Sequence, residues 1–73
     1  MNVLIRKLEE AENPLHPNNI EVGFEKIGKF VENPEIGKGF FVGYNWVTSR
    51  VTEIISENKF RTLNSIYEWK LIS

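Results

Sequence analysis

The last third of the chain restricts the fold more than any other part. Residues 48–56 are mostly β-branched and apolar, Glu57-Asn58 makes a short turn, residues 59–63 return, Asn64-Ser65 bends, and residues 66–72 run out again. Within that final run Tyr67, Trp69 and Leu71 alternate with Glu68 and Lys70. A period of two places the apolar side chains on one face of a strand and the charges on the other. This third therefore reads as three antiparallel strands, with Tyr67, Trp69 and Leu71 turned into a core.

Further upstream the pattern repeats less clearly. Ile20, Val22 and Phe24 alternate with Glu21, Gly23 and Glu25, which predicts a half-buried strand that Gly28 interrupts. Residues 33–39, Asn-Pro-Glu-Ile-Gly-Lys-Gly, form a turn leading into a strand at residues 40–43. Residues 13–19 hold two prolines and three asparagines and predict a loop. Residues 3–11 fit a strand through Val3, Leu4 and Ile5 or a short helix through Leu4, Leu8 and Ala11, with the strand favoured.

Four or five short strands in 73 residues leave few ways to hide an apolar face. Curling the sheet into a partly closed antiparallel barrel buries one face and limits exposed edges, so the expected class is all-β, a single small barrel spanning residues 1–73. Such a chain only just buries enough apolar surface to offset the entropy of ordering it. Hydrophobic residues make up 41% of it and nine aromatics are among them, enough for a core. With no cysteine, neither a disulfide nor a thiolate metal site supports that core.

The apolar run at residues 3–5 is too short for an export signal, and no run approaches the roughly 18 residues of a membrane span. The expectation is a soluble, cytoplasmic protein with no membrane partner. Net charge is −1, which argues against a dedicated nucleic-acid binder. The halves differ, however: residues 1–36 carry four cations and seven glutamates, a sum of −3, and residues 37–73 carry five and three, a sum of +2. A modest basic face on the second half is compatible with that distribution.

Tests for catalytic chemistry come out negative. Residues 23–29 match the spacing of a phosphate-binding loop, but Phe30 stands where the magnesium-binding hydroxyl belongs, and the chain has no aspartate to hold the metal. Gly37-Lys38-Gly39 with Gly43 suits sheet corners better than a dinucleotide fingerprint. His16 is the only histidine and has no visible partner, Ser49 and Ser65 lack a base and a glycine-flanked elbow, and Glu9-Glu10 sit in a polar run. The sequence points away from an enzyme and calls for no metal or cofactor.

Binding remains. Phe40, Val42 and Val47 suit a core, whereas Tyr44 and Trp46 flank Asn45 near a hairpin tip that cannot easily bury both rings. Exposed tyrosine, tryptophan and arginine dominate interface hot spots and also stack on bases. Pairing of residues 48–56 with residues 59–63 would bring Arg50 and Arg61 toward one face, with Lys59 close by. The candidate binding residues are thus Tyr44, Asn45, Trp46, Arg50, Lys59 and Arg61.

The stretches "NPEIGKGFFV", "TSRVTEI", "FRT" and "NSIYEW", spread over residues 33–71, resemble a recurring pattern in short uncharacterised proteins of bacteriophages and mobile elements, especially of gut bacteria. Those resemble small SH3-like β-barrels in which a Pro-x-x-Gly turn leads into the second strand and Thr-Ser opens the third. The resemblance implies a phage or prophage setting and supplies no catalytic residue. The leading expectation is a non-enzymatic protein-interaction module that binds a bacterial host protein, for instance as a host- or defence-modulating inhibitor. The alternative is a nucleic-acid or small-anion binding barrel using Arg50, Lys59 and Arg61 for phosphate and Trp46 for stacking, and a virion structural role is a third. Self-association is compatible with each.

Overall fold

Alternation of apolar and polar side chains is realised most fully in β1 (Asn2–Glu10), where Val3, Ile5 and Lys7 are buried while Asn2, Arg6 and the two glutamates face water. The computed structural model describes residues 1–10 and 21–72. After β1 come β2 (Glu25–Lys29), β3 (Gly39–Phe41), β4 (Val47–Ser56), β5 (Lys59–Thr62) and β6 (Ser65–Ile72). They form one antiparallel sheet in the order β2-β1-β6-β5-β4-β3. The sheet curls until its end strands touch. Phe30, just past β2, bridges Val42, just past β3, and the Gly43 amide donates to the Lys29 carbonyl at 2.8 Å.

The protein is thus all-β, as a small SH3-like barrel requires, with six strands where about five were expected and no helix among the described residues. Residues 3–10 are strand, not helix, because β1 pairs along both of its edges, with β2 and with β6. The loop expected at residues 13–19, with His16, lies outside the described residues, as does Ile20.

Register decides what reaches the core. Ile5 stands opposite Trp69 and Lys7 opposite Tyr67, so the inward face of β1 continues into β6. Phe60 of β5 lies opposite Tyr67 and joins Phe40, Val42 and Val51 in the buried cluster. Seven of the nine aromatic rings form an unbroken chain through this interior: Phe24, Trp46, Tyr67, Phe60, Phe40, Trp69 and Phe30, with centroids 5.1–6.4 Å apart from one ring to the next. Such pairs add roughly 0.5–1.5 kcal/mol each beyond the area they bury, and in a domain this small they carry much of the stability.

Three of the buried polar side chains are satisfied locally. Thr48 Oγ1 accepts from the Phe40 amide at 2.9 Å, where the β3–β4 register shifts. Thr62 Oγ1 accepts from the amides of Asn64 and Ser65 at 3.2 and 3.1 Å, which builds the bend before β6. Lys7, 0% exposed, donates from Nζ to Glu10 Oε1 at 2.6 Å, so Glu10 is an ion-pair partner and not merely solvated surface.

Four expectations need correction. The second strand begins at Glu25, not at residue 20: Val22 and Gly23 form a turn in which Gly23 has φ 94° and donates its amide to the Lys7 carbonyl. An exposed turn leaves Val22 in water whatever its alternation. Gly28 does not interrupt a strand but sits within β2, where Val42 crosses it so closely that a Cβ would lie 2.9 Å from Val42 Cγ1. Leu71 follows the inward phase of β6 and stands opposite the buried Val3, yet it is 45% exposed near the end of its strand and is not part of the core. Val47 pairs with Phe41 on the outer face and is exposed, so it fills no core.

Candidate functional site

The hairpin of β3 and β4 presents apolar and aromatic side chains to solvent. Phe40 and Phe41 are adjacent in a strand, so their side chains point to opposite faces, and with Phe40 in the core Phe41 is outside. Val47 stands opposite Phe41, forming an exposed cross-strand apolar pair. Tyr44, at the tip between them, is 79% exposed, and Lys29 Nζ stands 6.0 Å from the centre of its ring. Residues 39–52 contain no carboxylate.

Trp46 parts company with Tyr44. It is half-buried, stacked against Phe24 at 5.8 Å and edge-on to Tyr67 at 6.4 Å, and it packs against the core. The tip does not bury both rings, as expected, but the exposure expected of Trp46 as a binding residue is not found, because the turn at residues 43–46 folds back along β2 and half-encloses it. Asn45 is exposed at the same tip.

The three cations do not converge. Arg61 Nε donates to Glu53 Oε1 at 3.0 Å across the β4–β5 ladder. Lys59 lies opposite Glu68, which lies opposite Arg6, which lies opposite Glu25 and approaches it to 3.7 Å. This row, Glu25-Arg6-Glu68-Lys59, alternates in sign across four strands, so Lys59 sits within a neutralised stripe. Arg50, opposite Gly39, is exposed and makes no ion pair among the described residues.

Over the same stripe lies a shallow pocket of about 260 Å³, walled by Leu4, Arg6, Glu25, Glu68 and Lys70 among others. Its two cations, Arg6 and Lys70, and its two carboxylates, Glu25 and Glu68, sum to no net charge. Among the described residues no group of three histidines, glutamates or aspartates could hold a metal ion, and no helix is long and apolar enough to cross a membrane. Ser49 is half-buried in β4, and Ser65 is buried beside Tyr67 with no hydrogen-bond partner for its hydroxyl among the described residues. Burial pushes the Tyr67 phenol above its ordinary value, the nearby Ser65 hydroxyl tempers the rise, and Glu10 adds to it.

Phe41, Val47 and Lys29 were not among the sequence candidates. Phe41 was legible: in "GFFV" a strand must turn one of two neighbouring phenylalanines outward. Lys29 was not, because its place beside Tyr44 depends on the sheet closing. Set against family models, curated proteins and solved structures, the chain matches none of them.

Proposed function

We propose that the protein is a non-enzymatic binding module whose protein partner docks on the outer face of the β3–β4 hairpin, through Phe41, Tyr44 and Val47 with Lys29 at the rim. One observation carries this reading: seven aromatics fill the interior, and the two left over, Phe41 and Tyr44, both stand exposed on this one hairpin. Aromatic side chains held out by a rigid ladder present contact area at low entropic cost. The absence of carboxylates over residues 39–52, together with Lys29, favours a partner that surrounds an apolar centre with acidic groups. The resemblance of residues 33–71 to short phage proteins supports a bacterial host protein as that partner, and modulation of a host enzyme or defence component as the outcome.

The nucleic-acid reading has less behind it, since Arg61 is engaged by Glu53, Lys59 lies in the alternating stripe, and Trp46 is half-buried. The test is capture from bacterial lysate with native protein and a Phe41→Ala/Tyr44→Ala double variant, both checked for unchanged melting. A partner held by the first and lost by the second is expected. Equal retention by both, or no retention by either, rejects the hairpin. Binding to single-stranded DNA or RNA that weakens steeply with salt would favour the alternative instead.

A further inference from the structure

A different part of the molecule carries a second interaction surface. On the side facing β3, strand β4 is covered only as far as Val51, whose amide and carbonyl bond to Lys38 and Gly37. From residue 52 to residue 56 no backbone hydrogen bond is made on that side among the described residues, and all five residues are exposed. Ile54, opposite the buried Phe60, keeps the inward phase yet is 44% exposed, and its neighbour Ile55, at a shift in register, is 42% exposed. An edge of this kind is a template for another strand. Of the usual protections the segment has two shifts of register against β5, but it holds no lysine or proline, and its one charge, Glu53, is folded back onto Arg61 of its own chain.

We propose that this edge pairs with the same edge of a second copy, antiparallel about a two-fold axis at Ile54. That axis sets Ile54 against Ile54, Glu53 against Ile55 and Thr52 against Ser56, so no like charges meet. It also carries Glu57 of each copy alongside the Lys38 turn and within a residue of Arg50 of the other. Neither Arg50 nor Glu57 has an ion-pair partner in its own chain among the described residues. Self-pairing therefore supplies opposite charges twice over, which an unrelated strand need not do. Stable interfaces bury roughly 1,200 Å² or more in total, about an eighth of the 4741 Å² exposed by each of the two chains. Paired strands of about 17 Å reach less than that, so the dimer is weak and depends on concentration.

Sedimentation of the full chain across a concentration series up to about 1 mM tests this. The native protein is expected to pass from one chain to two. Ile54→Lys is expected to remain a single chain throughout with an unchanged far-UV spectrum, and Ile55→Lys serves if that variant does not fold. Glu57→Arg is expected to weaken association about tenfold. A native protein that stays monomeric, or folded lysine variants that still dimerise, overturns the proposal. An unchanged dimer in Glu57→Arg overturns the two-fold register about Ile54.

Discussion

Tyr44 and Trp46 stand two residues apart on one turn and meet opposite fates. Trp46 is drawn in by Phe24 and Tyr67, while Tyr44 is left almost wholly in water beside Lys29. The same contrast separates the wall of β1, β5 and β6 from the hairpin of β3 and β4, although both are rich in aromatic and β-branched residues. Composition does not distinguish them. The difference lies in strand phase and in whether another segment returns over the ring, and it teaches that surplus apolar residues in a small barrel gather where the sheet has no layer to cover them.

Four measurements would break or sharpen that contrast. The largest effect belongs to the pair Phe60 and Phe41, the same residue type on the two sides of the wall. Phe60→Ala is expected to cost about 3–5 kcal/mol in urea denaturation, close to the whole stability of a domain this size. Phe41→Ala is expected to cost under about 1 kcal/mol. Next comes the turn itself: Trp46→Ala should lower stability by roughly 2–3 kcal/mol because it breaks the ring chain at one end, whereas Tyr44→Ala should stay within about 0.5 kcal/mol. Equal costs at the two positions would erase the distinction drawn between them.

The third concerns Tyr67. Its phenol is raised in the folded state above the ordinary 10.0, first by burial. The neutral form is therefore favoured by folding, so this contribution is whole below pH 10.0 and is lost as pH climbs through the folded value. Tyr67→Phe is expected to flatten the fall of stability in that alkaline range, read from denaturation midpoints at successive pH values. The smallest effect is that of Glu53→Gln, which releases Arg61 at an exposed pair and should change stability by less than about 1 kcal/mol.

How much of this was legible follows from where the information sits. From residue 48 onward turns and alternation are local properties, and β4, β5 and β6 lie within a residue of where the sequence placed them. The second strand was misplaced because Glu-Lys-Ile-Gly-Lys has little strand propensity of its own; β1 supplies its ladder, and the glycine is there for Val42. In β1 the inward row ends in Lys7, whose charge disguises the alternation until Glu10 is seen beside it. At the candidate site Tyr44 and Phe41 follow from the residues alone. The indoor position of Trp46 does not, since it depends on Phe24 and Tyr67 returning to it from far along the chain, and the engagement of Arg61 by Glu53 does not, since shifts of register in the β4–β5 ladder decide which residues face each other.

The seam between β2 and β3 has a consequence for how the molecule breathes. Five strand junctions are laced by ladders, but the sixth is fastened by one bridge, the Gly43–Lys29 hydrogen bond and the press of Phe24 on Trp46. Among the amides bonded from strand to strand, deuterium should enter first along this line, the barrel unrolling there like a cuff while β1 and β6 stay wound together.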